Sequence, residues 1–256
     1  MQSIHDAAAR GFEANADGYA RGRPDYPPAL DRWLHDVACI GPGTTVVDLG
    51  AGTGKFLPRL SSTGATVIAI EPVAAMRARL SADFPGVDAR PGTAEAMPLA
   101  DASADAVVCA QAFHWFATAA ALQEIVRVLR PGGVLALAWN VRDESVDWVR
   151  RLSDLIRPYE GAVPRYYTGD WRRVFPATGF GPLAESRFAH AHVGPPRQVI
   201  VDRFLSVSFI AALPDAERRQ VERRLIDFIA DEPALAGSAS VSMPYETVAF
   251  RIVRSR

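Results

Sequence analysis

A doubly wound α/β sheet of seven strands, mostly parallel and flanked by helices on both faces, is the fold class this sequence predicts. Three observations carry that expectation. Short runs rich in Val, Ile, Leu and Ala alternate with helical patterns through the first half of the chain. The first of these runs leads through Asp48 into a turn of alternating glycines, and two further strand-like runs appear in the second half. Strands that alternate with helices point to parallel pairing, because each returning helix covers a face of the sheet.

Taken in order, five apolar runs read as buried parallel strands: residues 45–49, 66–70, 87–90, 106–110 and 134–139. Residues 119–130 place Leu122, Ile125, Val126 and Leu129 on one helical face, with Pro131-Gly132-Gly133 as the stop signal. After Asn140 the alternation ends. Residues 143–157 form an amphipathic helical pattern, and 158–182 are a connection rich in Tyr, Gly, Pro and Arg. Helical segments over 196–211 and 214–230 separate strand-like runs at 185–193 and 246–253. Long connections in a compact domain are usually lids or binding loops. The expected organisation is one domain over residues 1–256, with a core of about 30–140 plus strands within 183–256, and cap elements over about 1–29, 141–182 and 194–235.

With 28 Lys and Arg against 29 Asp and Glu, no global field draws the chain to nucleic acid or an anionic membrane. Small, neutral or locally recognised partners are favoured. Cys39 and Cys109 are the only cysteines and stand in no metal-ligand spacing, so they are expected to be inert core thiols in a reducing compartment. The opening MQSIHDAAARGFE lacks an apolar signal core, and no run approaches about 18 uncharged apolar residues. A soluble cytoplasmic protein is expected.

In VVDLGAGTGKF, Gly50, Gly52 and Gly54 alternate after Asp48. Glycines at such a turn let backbone N–H groups and a helix N-terminus approach a ligand, since no Cβ intervenes. A Walker A loop would need a glycine at Leu49 and a hydroxyl at Phe56, which disfavours a nucleoside triphosphate. A dinucleotide fingerprint from Gly50 would need its third glycine at Lys55, one residue later than the chain supplies it, so NAD is a minor alternative. What remains is a nucleoside ligand without pyrophosphate. Glu71 ends ATVIAIE, 21 residues after Gly50, where an acid in this architecture accepts hydrogen bonds from ribose hydroxyls. Loop, acid and missing phosphate signature fit S-adenosylmethionine (SAM).

In combination, Tyr19 with RGRPDYP, VVDLGAGTGKF, VIAIEP, GTAEAMPLADASADAVV and EIVRVLRPGGVLALAWN resemble the class I SAM-dependent methyltransferases. The resemblance is to the small-molecule type that includes trans-aconitate methyltransferase-like proteins, and it covers residues 12–140 well and 141–256 loosely. It implies a Rossmann-like fold capped by the N-terminal segment and by insertions after the fifth strand. It also implies SAM as cofactor, S-adenosylhomocysteine as product, and no metal. By resemblance, Asp48 and the loop of Gly50, Ala51, Gly52 and Gly54 hold the methionine moiety, Glu71 binds the ribose, and Pro72 and Ala94 line the adenine. Thr93 stands where the family often has an Asp that reaches the adenine amino group, which leaves the backbone near Ala94, with Glu95, for that contact. Tyr19 and Arg23 resemble a segment that folds over the cofactor; a Pro-rich surface entry strand is the alternative.

The stretch QAFHWF, Gln111 to Phe116, follows the fourth strand, where ligands bind in open α/β sheets. By resemblance Gln111 and Ala112 face the methionine part of the cofactor, while His114 and Trp115 border the methyl acceptor. An imidazole, with an unperturbed pKa of about 6.5, suits proton abstraction near neutrality. His114 is therefore a general base or acceptor contact, or else a packing residue. Ala110 to Phe113 does not match the Pro-Pro motif of adenine and amide N-methyltransferases. Cys109, inside the apolar run without an adjacent proline, does not match the nucleophile of RNA cytosine methyltransferases. His190 and His192 alternate on a strand with no third ligand nearby in sequence, which argues against zinc. Arg150, Arg151, Arg157, Arg165, Arg172 and Arg173 form a solvated face or a clamp for an acidic acceptor. Tyr159, Tyr166, Tyr167 and Trp171 belong to a cap core or to an acceptor pocket.

The expected function is methyl transfer from SAM to a small organic acceptor, at the oxygen of a carboxylate or hydroxyl, by an enzyme of the EC 2.1.1 type. His114 is the catalytic candidate, and His114, Trp115, Tyr166 and Tyr167 are the acceptor-site candidates. No nucleic acid or membrane partner is expected, and the chain is expected to be a monomer or homodimer. A SAM-binding regulator without transfer activity is the alternative.

Overall fold

A computed structural model describes residues 22–255, so Tyr19 lies outside the described residues. In chain order the elements that matter are α1 (Ala29–Asp36), β1 (Thr45–Leu49), α2 (Leu57–Ser61), β2 (Thr66–Ile70), α3 (Ala74–Asp83), β3 (Asp88–Arg90) and β4 (Ala104–Ala110). They continue with α4 (Ala119–Val128), β5 (Leu129–Arg142), α5 (Asp147–Ile156), β6 (Ala184–Gly194), α6 (Asp215–Asp231) and β7 (Val241–Val253). The strands form one seven-stranded sheet in the order β3-β2-β1-β4-β5-β7-β6. From β3 to β5 every pairing is parallel. Gly132 N–H donates to Arg254 O while Asp143 N–H donates to Pro244 O, so β7 runs antiparallel to β5. The α/β class and the seven strands expected from the sequence are those of the structure.

Strand order reverses between β1 and β4. That is the topological switch point of an open α/β sheet, and ligands of such sheets bind outside the carboxyl ends of the strands on either side of it. The glycine loop leaves β1 there and QAFHWF leaves β4 there, beside each other because Asp48 is in register with Val108.

The chain divides into two compact units. One comprises Tyr26–Trp139, Pro164–Phe188 and the end of the chain from Thr247. Its core packs Leu30, Leu34, Val46, Leu57, Leu60, Ala106, Val108 and Ala136, all buried, so the alternating faces of β1, β4 and β5 explain why these strands read as apolar runs. The other comprises residues 22–25, Asn140–Val163 and Ala189–Glu246, with its own core of Val149, Leu152, Ile200, Phe204, Leu225 and Met243.

Several boundaries differ from expectation for local reasons. The helix expected over 119–130 is capped by Thr118, whose side chain accepts from Ala121 N–H, but it ends at Val128. Leu129 turns extended, at φ −66° and ψ 143°, and pairs with Ala104 as the first residue of β5. A residue before proline avoids the helical region, so Arg130 could not continue the helix into Pro131. β7 starts at Val241, earlier than the expected 246, with Val241, Met243 and Tyr245 buried on one face; Pro244 hid that alternation. The helical pattern over 196–211 is three pieces: a π-helical turn Arg197–Asp202 and short helices Arg203–Leu205 and Ser208–Ala211. Cys39 is exposed, at φ 56°, and is not the core thiol expected; Ala38 and Ile40 on either side take the buried positions. No helix among the described residues is long and apolar enough to cross a membrane.

Candidate active site at the switch point

The glycine loop is held by its own hydrogen bonds. Gly50 N–H and Ala51 N–H both donate to Ile70 O at the end of β2, at 2.9 and 3.2 Å. Gly52 N–H donates to Glu71 Oε2 at 2.8 Å, and Gly54 N–H closes a turn onto Ala51 O. The expected cradle of N–H groups aimed at a ligand is therefore not what Gly50, Ala51 and Gly52 supply. Their donors are spent on shape, which is how a loop that binds no phosphate can be built. Gly50 has φ +72°, and a Cβ on it would stand 2.8 Å from the Cβ of Ala112. Glycine here lets QAFHWF pack directly on the loop. At Gly52, also at positive φ, a Cβ would meet only Met76 Sδ at 3.8 Å, so that side of the loop is open to a ligand.

Two acids flank the loop. Asp48 is 1% exposed and its Oδ2 is buried with no hydrogen-bond partner. Burial, and secondarily the charge of Glu71, push its carboxyl up to about 7. Glu71 is buried too. Its Oε1 accepts from Val73 N–H and its Oε2 from Gly52 N–H, both at 2.8 Å. Burial raises the Glu71 pKa, while those two N–H bonds and the Arg77 charge oppose the rise. Each carboxylate oxygen has a second lone pair, so ribose hydroxyls can still be accepted. Thr53, which the sequence reading passed over, is 4% exposed with an unpartnered Oγ1. Its only signal was a hydroxyl inside the glycine loop.

Thr93, Ala94 and Glu95 form a tight turn in which Thr93 and Ala96 exchange backbone hydrogen bonds. Two residues of α4 pin it: Glu124 accepts from Met97 N–H at 2.7 Å, and Arg127 donates to Leu99 O and Met97 O. Ala94 is buried, and Pro72 follows Glu71 with its carbonyl accepting from Arg77.

At the end of β4, Gln111 sits at φ 56°, a left-handed conformation that costs a non-glycine residue about 1–2 kcal/mol, and its N–H is tied to Ala138 O. Strain of this kind concentrates at functional sites. A short 3₁₀ turn, Phe113–Trp115, then presents His114 and Trp115, half-buried, with ring centroids 5.2 Å apart. Trp139 Nε1–H, on β5, donates to His114 Nδ1 at 3.1 Å. Trp139 in turn packs on Tyr166 and Trp171, at 4.9 and 4.6 Å, and Trp171 Nε1–H donates to Tyr166 O. Burial raises the Tyr166 phenol above its ordinary pKa, against a hydrogen bond from Arg172. The structure thus brings His114, Trp115 and Tyr166 into one aromatic run. Tyr167 is 59% exposed, with Arg165 over its ring.

The remaining candidates have partners or surroundings of their own. Arg23 belongs to the second compact unit, where it donates to Ser206 O at 3.1 Å. Arg150, Arg151, Arg157, Arg172 and Arg173 each pair with an Asp or Glu of the chain, which satisfies them without an acidic acceptor. Cys109 is fully buried, and burial with the nearby Asp48 charge raises its thiol pKa well above the usual value, leaving it protonated. No group of three His, Cys, Asp or Glu in metal-binding proximity occurs among the described residues.

A switch-point loop without phosphate donors, two buried acids around it and a seven-stranded sheet whose seventh strand is antiparallel define a class I SAM-dependent methyltransferase. The comparisons agree. Residues 47–137 match the family model of the methyltransferase domain. An uncharacterised methyltransferase of Mycobacterium tuberculosis is 39% identical over 240 residues, covering 94% of each chain. An uncharacterised methyltransferase-like protein of Schizosaccharomyces pombe is 36% identical over 244 residues and 93% of each chain. A solved structure from Anaeromyxobacter dehalogenans, provisionally described as a type II methyltransferase, superposes with a TM-score of 0.65 at 26% identity, covering 91% of this chain and 97% of that one. The chain belongs to the class I SAM-dependent methyltransferase family.

Proposed function

We propose that the chain transfers the SAM methyl group to an oxygen of a small organic acceptor, and that the acceptor is a carboxylate. The single observation that carries the cofactor site is the pair of orphaned buried atoms, Asp48 Oδ2 and Thr53 Oγ1, beside the open side of Gly52. Buried polar atoms are nearly always partnered, and a polar ligand supplies the missing bonds. Asp48, Thr53 and backbone carbonyls of Gly50–Gly52, whose N–H groups are already used, would hold the methionine moiety. Glu71 would accept the ribose hydroxyls. Pro72 and the Thr93–Glu95 turn would enclose the adenine, with Gln111 and Ala112 against the sulfonium side. The Schizosaccharomyces pombe and Mycobacterium tuberculosis relatives match over 93–94% of both chains, which supports treating the whole chain as one methyltransferase domain.

Bound SAM supplies an electrophilic methyl group with a neutral leaving group. The protein's part is to align the acceptor with it. His114 Nδ1 accepts from Trp139, and an indole nitrogen can only donate. The neutral ring therefore carries its proton on Nε2. In that tautomer His114 donates to the acceptor; to act as base it would first have to break the Trp139 bond. A carboxylate needs no base, since it presents its own lone pair. A malonyl-acyl-carrier-protein O-methyltransferase of Methylococcus capsulatus, 40% identical over 139 residues and about half of each chain, supports oxygen as the methylated atom. Trp115 and Tyr166 would form the acceptor walls, with Tyr167 at their rim.

Calorimetric titration with S-adenosylhomocysteine tests the cofactor site. Mass spectrometry of a metabolite extract incubated with protein and deuterated-methyl SAM tests transfer and names the acceptor. A folded chain that binds no S-adenosylhomocysteine refutes the reading. Binding without labelled product would leave the regulator. His114→Ala is expected to raise the acceptor KM about 10-fold or more, the loss of a hydrogen bond to a charged group, with S-adenosylhomocysteine affinity unchanged.

A further inference from the structure

Arg203 is the one arginine among the buried described residues, at 5% exposure. It opens the short helix Arg203–Leu205, amid the apolar core formed by Ile200, Phe204, Val207 and Tyr245. A guanidinium cannot shed its proton at any ordinary pH, so burial leaves a full charge away from water. Among the described residues no carboxylate forms an ion pair with it; Nε donates to Tyr245 Oη at 3.1 Å, and Nη1 is buried with no partner. Arg127, Arg151 and Arg197, all more exposed, are by contrast each paired with acids. A buried charge without a counter-charge is strongly disfavoured unless something brings one.

The surroundings favour an oxyanion. Tyr245 accepts the Nε bond, so its own hydroxyl proton is left to donate. One unpartnered cationic nitrogen and a hydroxyl proton therefore meet at Tyr245, within the unit that carries Ala189–Glu246. We propose that this cluster binds a small organic anion, a carboxylate or phosphate, whose oxygen is held by Arg203 Nη1 and the Tyr245 hydroxyl. The proposal stands independently of the methyltransferase reading, and its ligand class includes the carboxylate acceptors considered above.

The test uses the full chain, titrated calorimetrically with citrate and, separately, with inorganic phosphate at fixed ionic strength. One of the two is expected to bind saturably, about 10-fold or more weakly in Arg203→Gln, and unchanged in Arg173→Gln, a surface control. Which probe binds distinguishes carboxylate from phosphate. In the absence of anion, Arg203→Met is expected to melt at or above the wild-type temperature, because it removes an uncompensated charge while keeping most of the apolar stem. Absence of saturable binding by both probes, equal affinity in Arg203→Gln, or a lower melting temperature of Arg203→Met overturns the proposal. S-adenosylhomocysteine titration of the same samples separates this failure from failure of the cofactor site.

Discussion

Gly50 and Gly52 both adopt positive φ, yet the structure assigns them different reasons to be glycine. An alanine at Gly50 meets two costs. The left-handed backbone, at φ +72°, costs an L-residue about 1–2 kcal/mol. The new Cβ would lie 2.8 Å from Ala112 Cβ, a short side chain on a buried residue that cannot swing away, which adds about 1–3 kcal/mol of overpacking. Gly50→Ala is therefore expected to lose about 2–5 kcal/mol of unfolding free energy. Gly43→Ala, at φ +84° with nothing within 4 Å of its Cβ, should lose only the backbone part, about 1–2 kcal/mol. Gly52→Ala should match Gly43→Ala in stability but weaken S-adenosylhomocysteine, because its Cβ enters the open side of the loop. Urea unfolding without ligand measures all three. Adding Ala112→Gly to Gly50→Ala completes a double-mutant cycle with an expected coupling of about 1–3 kcal/mol. Equal losses for Gly50→Ala and Gly43→Ala, with coupling below about 0.5 kcal/mol, would refute the packing argument.

Three further outcomes follow from the buried acids and the orphan hydroxyl. Asp48 titrates near 3.8 unfolded and about 7 folded, so the folded state holds the extra proton and stability falls as pH rises from about 4 to 7, by at most ~4 kcal/mol. Asp48→Asn should flatten that slope in urea melts taken across the range. Glu71→Gln must point an amide N–H₂ at Val73 N–H or Gly52 N–H, so S-adenosylhomocysteine affinity should fall about 10-fold or more by calorimetry. Thr53→Val removes a buried hydroxyl with no partner; the free protein should be unchanged or up to about 1 kcal/mol more stable, while S-adenosylhomocysteine binds more weakly.

The sequence was most legible where the chemistry is local. β1 and β2 were read to the residue because an apolar run and a turn bound each strand. The loop from Asp48 to Gly54 and the acid at Glu71 followed from strand ends that the topology then placed together. Features that depend on register across the sheet were not legible. Trp139 reaches His114 because β4 and β5 align Ala110 with Ala138, and no periodicity in either segment announces that alignment. The use of the loop's N–H groups was hidden for the same reason, since Gly50 and Ala51 bond to Ile70 across β2. Cys39 misled because composition favours buried thiols, whereas a single turn residue between two buried neighbours decides its exposure.

The buried polar atoms divide this chain's residues into those that serve the fold and those that work against it. Glu124 and Arg127 are fully partnered and hold a loop, so their charges repay their ordering within the free protein. Asp48 and Thr53 are not: each leaves a buried atom without a bond, a cost of about 1–3 kcal/mol apiece that apolar residues of similar size would avoid. Gln111 adds strain at the same place in the fold. Asp48, Thr53 and Gln111 are local choices that contradict the stability of the free chain, and all three lie at one switch point, where the proposed cofactor would supply the missing bonds. Family and fold point to the position of the proposed site, and its unsatisfied atoms, Asp48 Oδ2 and Thr53 Oγ1, are the ones whose substitution tests it.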